Sequence, residues 1–196
     1  QALLSASLLS ENTGETMLII GADEYHEKLS DIFDQSVVNS EEKSDGGGAL
    51  VLKYEEKPSG ITIEPVFYER WENNPDVIDK LIKQLGGIES INERFGAVLV
   101  GIPGAYQEIS ESQIKSFIQK GNFKQSFVDY RKIIGQFPTA SSTAAVLAVE
   151  IIQNNVDEIF EIDEFLISKS GHRHDLKGRG ILLLGLGTYI TAIEIL

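Results

Sequence analysis

The run Gly135-Gln136-Phe137-Pro138-Thr139-Ala140-Ser141-Ser142-Thr143-Ala144-Ala145-Val146-Leu147-Ala148-Val149-Glu150-Ile151-Ile152 constrains this chain more than any other. Pro138 with Thr139 or Ser141 marks a helix start, because a hydroxyl caps the free N–H groups of a first turn. From Ala140 the side chains are small or apolar on every side until Glu150. A helix without a polar face has to be covered on all sides. This one is too short, and its residues too small, to cross a bilayer. It is expected to be a buried central helix whose start lies under a polar Gly-Gln-Phe-Pro-Thr turn.

The segments around it alternate. Residues 1–10 read as a helix ended by the turn residues Glu11-Asn12-Thr13-Gly14. Met17-Leu18-Ile19-Ile20 is a short apolar run, the pattern of a strand buried on both faces. Residues 26–34 read as a short helix and 35–45 as an acidic surface loop. Gly46-Gly47-Gly48 leads into a strand over 49–54. A tight turn is the simpler reading of those glycines, close approach to a ligand or backbone the other. Pro65 within 61–68 assigns that strand to an edge or a bulge. A helix is expected over 75–85, ended by Gly86-Gly87, and a buried strand over 97–101. A second helix, 108–120, turns Ile109, Ile114, Phe117 and Ile118 inward. A strand at 126–130 leads into the central helix. Residues 153–165 alternate acidic with Ile and Phe, as an edge element would, and 168–179 form a loop. Two consecutive strands, 180–187 and 188–196, close the chain. The pattern is α/β, built on mostly parallel sheets.

Composition narrows the function classes. A net charge of −13 over 196 residues argues against nucleic acid, whose phosphates need a basic patch. The absence of cysteine removes disulfides, zinc–thiolate sites and a cysteine nucleophile from these residues. No apolar run is long enough to cross a membrane, and no signal peptide is present, which points to the cytoplasm. The chain opens in the middle of a helical pattern without an initiator Met, so it reads as a fragment.

Few residues offer chemistry on their own. Gly185-Leu186-Gly187 lacks the third glycine of a dinucleotide loop, and a β-rich segment follows where a helix is required. His172, His174 and Asp175 have the spacing to share a metal, but their Ser-Gly-Arg-Lys surroundings read as an exposed loop. His26, after Asp23-Glu24-Tyr25, could act as a general acid or base and reads more simply as a helix start. No serine sits in a Gly-x-Ser-x-Gly elbow. The residues alone imply no metal and no cofactor.

Four segments, in order, resemble the β-ketoacyl-[acyl carrier protein] synthase branch of the thiolase-fold condensing enzymes. The opening helix with Met17-Leu18-Ile19-Ile20-Gly21-Ala22-Asp23-Glu24 resembles the helix after the family's nucleophile and its strand ending in Gly-x-Asp-Glu. Asp45-Gly46-Gly47-Gly48-Ala49-Leu50-Val51-Leu52 resembles its glycine-led Leu-Val-Leu strand. Arg131 through Ser141 resembles its Lys-x-x-x-Gly-His turn and buried helix. Leu184-Gly185-Leu186-Gly187-Thr188 resembles its Phe-Gly-Phe-Gly-Gly turn. The resemblance implies a thiolase-like αβαβα layered fold without its first strands and nucleophile region. Residues 1–57 would end the N-terminal half, and 58–196 would form the C-terminal half.

The departures carry what the resemblance implies about function. The family needs a cysteine thiolate, two histidines and a lysine. Gly101 stands at the first histidine position, Gln136 at the second, and Arg131 at the lysine. Leu186 replaces an aromatic gate residue. Glutamine donates a hydrogen bond but does not titrate near neutral pH. One oxyanion donor is typically worth roughly 3 kcal/mol. A degenerate site follows, with Phe137, Pro138, Thr139 and Leu186 bordering an acyl pocket. The implied protein is a non-catalytic, chain-length-factor-like subunit of fatty acid or polyketide-type biosynthesis. Its Gly-Gln-Phe-Pro-Thr-Ala-Ser turn is most similar to ketosynthase-like proteins of aryl-polyene and flexirubin pigment pathways. Acyl carrier protein or its acyl chain, and a ketosynthase in a homo- or heterodimer, would be its partners. Two alternatives stand beside this: an active synthase with its cysteine upstream, and an unrelated α/β small-molecule-binding domain.

Overall fold

The computed structural model describes residues 2–9, 14–26, 44–156, 160, 162–168, 176 and 178–196. The elements run α1 (Ala2–Leu9), β1 (Thr16–Asp23), β2 (Gly46–Lys53), β3 (Ile63–Arg70), α2 (Asp76–Gln84), α3 (Gly87–Arg94), β4 (Phe95–Gly101) and α4 (Gln107–Gln119). They continue with β5 (Ser126–Asp129), α5 (Tyr130–Ile134), α6 (Ala140–Asn154), β6 (Leu166–Ser168), β7 (Gly180–Gly185) and β8 (Tyr189–Ile195). Strands β1 and β2 form an antiparallel two-stranded sheet, and the other six pair in the order β3-β8-β7-β4-β5-β6.

That larger sheet is mixed. Only β4–β5 and β4–β7 are parallel, while β3–β8, β7–β8 and β5–β6 are antiparallel. The expectation of mostly parallel sheets is therefore corrected. The short turn between β7 and β8 forces an antiparallel pair, since a parallel one needs a long crossover. The α/β class stands.

Alternate residues of the central strands feed two cores. Val98, Val100, Leu182 and Leu184 face α2, α3 and α4, meeting Val77, Leu81, Ile91, Ile114 and Phe117. Ala97, Leu99, Ile181 and Leu183 face the other way, toward Ala140, Ala144, Ala145 and Ala148 of α6. Helix α6 also packs on β2 and β1. The order of layers is thus the β1–β2 sheet, α6, the six-stranded sheet, and then α2–α4.

Several local expectations change. Helix α6 buries one face, with Ser141 and Glu150 exposed, instead of being covered all round. In β1 only one face is covered, and Leu18 and Ile20 are exposed together with Val51 of β2. The glycines at 46–48 lie inside β2 rather than in a turn before it. A Cβ at Gly48 would stand 2.6 Å from the Ser142 carbonyl oxygen, so glycine there lets helix and strand backbones approach. Ile109 is exposed, because α4 docks through Ser110, Gln113, Ile114 and Phe117. Helix α3 was not expected; it buries only Ile91, too little periodicity to read. Helix α5 intervenes between β5 and α6. Residues 153–154 continue α6, and the segment after them carries a 3-10 turn at Asp163–Phe165 and the short β6. Pro65 does mark an edge strand with a bulge between Pro65 and Phe67. The expected helix over 26–34 and loop over 35–45 fall largely outside the described residues, as do His172, His174 and Asp175. His26 is exposed and lies in neither helix nor strand.

Candidate functional site

From β4 the chain turns to α4 on one face of the sheet. From its parallel neighbour β5 it turns through α5 to α6 on the other face. Loops that part at adjacent strand ends leave a crevice, the usual place for a ligand in an open α/β sheet. Here the crevice holds a group of buried polar side chains.

Asp129 ends β5 and caps α5, its Oδ1 accepting the Arg131 backbone N–H at 3.0 Å. The same carboxyl accepts the backbone N–H of Ile102, just beyond β4, and so ties the two strand ends together. Burial pushes its pKa up to about 6, against the pull of those two N–H bonds and of the Lys132 and Arg131 charges. Arg131 is 7% exposed; its Nη1 donates to Gln136 Oε1 and to the Phe137 carbonyl, both at 3.1 Å. Gln136 Nε2 donates to the Ile102 carbonyl at 3.3 Å. Tyr130 is buried beside Arg131, and burial raises the pKa of its phenol. Its ring tip fills the space over Gly101, where an added Cβ would stand 2.5 Å from Tyr130 Cζ.

The structure therefore brings Gly101, Arg131 and Gln136 together. A cavity of about 1230 Å³ opens beside them, framed by α4, by α5 with the turn to Gln136, and by residues 164–168. The other four expected site residues lie elsewhere. Phe137 is buried in the α6 core against Gly46 of β2. Pro138 is exposed, and Thr139 is half-buried at the start of α6. Leu186 packs in the opposite core, beside a turn where Gln113 bonds both Gly187 N–H and Gly187 C=O, at 2.9 and 2.7 Å. None of the four lines the cavity, because Phe137 and Leu186 serve cores on opposite faces of one sheet.

Sequence reasoning passed over Asp129 and Tyr130, which read as the end of an apolar strand. An acidic residue at a strand's C-terminal end, followed at once by a helical turn, was the available signal. Among the described residues the site assembles no thiol and no imidazole, and no three metal-ligating side chains cluster. No helix among them is long and apolar enough to cross a membrane.

No protein-family model and no curated protein sequence matches the chain. Among solved structures it is similar to AbyA1, a tetronic acid condensing enzyme, at 14% identity and a TM-score of 0.52. The match covers 98% of this chain and 60% of that one, so the chain spans less than two thirds of that enzyme's length. At this identity the likeness concerns the fold alone.

Proposed function

We propose that the chain belongs to a ketosynthase-like protein with thiolase-like layering. On this reading it is a partner subunit of fatty acid or polyketide-type biosynthesis, related to those of aryl-polyene and flexirubin pathways, and not a condensing catalyst. Supporting it are the fold likeness to a condensing enzyme and the stack of sheet, helix, sheet and helices. The observation that carries it is the crevice. The positions that would hold two histidines and a lysine carry Gly101, Gln136 and Arg131, and the Tyr130 ring occupies the room an imidazole at 101 would need. A thiolate attacking a thioester needs donors for the developing oxyanion and a group that moves a proton. Gln136 offers its amide N–H groups, one already bonded to Ile102, and no proton transfer.

Intact mass spectrometry of the full-length protein with hexanoyl-N-acetylcysteamine, and carbon dioxide release from a malonyl thioester, test the reading. Neither adduct nor decarboxylation is expected. A stable acyl adduct would establish the alternative, an active synthase whose thiol lies outside these residues. Size-exclusion chromatography with an active ketosynthase from the same genome tests the partner role, and co-elution is expected. Failure to co-elute would favour a stand-alone binding domain.

A further inference from the structure

We propose that the cavity beside Asp129 binds a neutral aliphatic alcohol. Its hydroxyl donates to the Asp129 carboxyl and accepts from the Gln136 amide, and its chain lies along α4 and β6. The inference stands whether or not the chain pairs with a synthase.

Exposure sorts the lining into a floor, a wall and a rim. Asp129 and Gln136 form the floor, at 4% and 8% exposure. Ile102, Ile118, Ile134, Leu166 and Ile167 are half-buried and form the wall. Glu111, Lys115, Lys132 and Glu164 are exposed and form the rim. An apolar wall leading down to a few convergent polar groups is the make-up of a small-molecule site.

The floor has hydrogen-bonding capacity left over. An ionised carboxyl accepts about four hydrogen bonds, and Asp129 has two, from the backbone N–H groups of Arg131 and Ile102. The Gln136 side chain accepts from Arg131 and donates to the Ile102 carbonyl, which leaves one of its N–H groups unengaged among the described residues. Arg131 offers a ligand nothing here. Its Nη1 makes two bonds, its Nε is buried, and Tyr130 also bonds its side chain, so its part is to hold Gln136 in place. Asp129 and Gln136 are both tied to the backbone of Ile102, one to its N–H and the other to its carbonyl. An acceptor and a donor held on one residue suit a hydroxyl, which gives one hydrogen bond and takes another.

The lining also selects against a charged head. Its acids Glu111, Asp129 and Glu164 balance its bases Lys115, Arg131 and Lys132. No net charge is left to compensate an ion for its lost hydration. An anionic head would face Asp129, and a cationic one would lie beside Arg131.

Isothermal titration of the full chain with octanol, its methyl ether, octanoate and octylammonium tests this. Octanol is expected to bind. The ether, which keeps the chain and loses the donor, should bind about tenfold more weakly, and so should both ions. Asp129→Asn, which keeps the shape and loses the ionic acceptor, should weaken octanol binding by about tenfold as well. Ile118→Trp, which fills the space along the wall, should abolish it. Circular dichroism of both variants separates lost binding from lost folding, and the wild-type series needs no variant. Equal affinity for octanol and its ether, no octanol binding, tighter binding of either ion, or octanol binding undiminished in a folded Asp129→Asn or Ile118→Trp protein would each overturn the proposal.

Discussion

The Asp23 carboxylate accepts the backbone N–H of Thr139 at 2.6 Å, across 116 residues of chain. Asp23 is the last residue of β1, and Thr139 precedes the first turn of α6. The cap that the Pro-Thr-Ala-Ser sequence assigns to a local hydroxyl comes instead from the other sheet. Thr139 makes no side-chain cap, and its Oγ1 is buried without a partner. A carboxylate suits this place, because it satisfies a free N–H and meets the positive end of the helix dipole.

Asp23→Ala should therefore destabilise the protein by about 1–2 kcal/mol. Thr139→Val, which removes an unsatisfied hydroxyl and keeps the shape, should be neutral or stabilising by up to about 1 kcal/mol. Urea unfolding of both variants reads the difference. The opposite ranking would return the cap to Thr139.

Much of the fold is legible because its signals are local. The all-apolar runs of β4 and β7, the inward triad Val77, Ile78 and Leu81 of α2, and the edge position announced by Pro65 each follow from a few neighbouring residues. What escapes depends on distant chain. The run Met17–Ile20 is apolar on both faces, but only one meets α6. The antiparallel pairs and the Asp23 cap are set by elements far apart in sequence. Gly101, Arg131 and Gln136 are legible as a group only through a family resemblance. Asp129 and Tyr130 carry an ordinary strand pattern until the fold turns them into the crevice.

The two ends of the glycine run should respond differently. At Gly46 an added Cβ meets the tip of the Phe137 ring, with Cε1 at 2.6 Å, an obstacle that belongs to a side chain and that a smaller residue at 137 removes. At Gly48 it meets the Ser142 carbonyl at 2.6 Å and the Thr143 nitrogen at 2.8 Å, which belong to the backbone of α6. Gly48→Ala should cost more than Gly46→Ala, which at about 1–3 kcal/mol is ordinary overpacking. Phe137→Leu should restore part of the Gly46→Ala loss and none of the Gly48→Ala loss. Thermal melts of the wild type, the three single variants and the two double variants decide this, and equal losses at both glycines would contradict the close approach of α6 to β2.

Asp129 predicts a pH trend. Its pKa is about 6 in the folded protein, against an ordinary 3.8. Between those values the folded state keeps a proton that the unfolded chain releases. Stability from this group is therefore full below about pH 4 and lost as pH rises through 6. The full loss is about 3 kcal/mol. Asp129→Asn does not titrate, so its stability relative to wild type should climb by that order from pH 4 to pH 7. Denaturant midpoints at half-unit pH steps measure it. A flat difference would mean that the carboxyl is better solvated than its burial implies.

The packing of Tyr130 over Gly101 bears most directly on function. If the crevice were a synthase site merely lacking an imidazole, Gly101→His would supply one. The structure predicts otherwise, because the first atom of any side chain at 101 would stand 2.5 Å from Tyr130 Cζ, a ring held at 2% exposure by its neighbours. A fully buried aromatic ring has little room to move in a close-packed interior. Gly101→Ala should already destabilise by about 1–3 kcal/mol and Gly101→His by more. Neither should release carbon dioxide from a malonyl thioester. Tyr130→Ala alone should be destabilising through its cavity, by about 3 kcal/mol or more, yet it should remove most of the further penalty of Gly101→Ala. A double-mutant cycle by chemical denaturation measures that coupling. Additive losses would show that Tyr130 does not fill the space above Gly101 and that the crevice has room for an imidazole there.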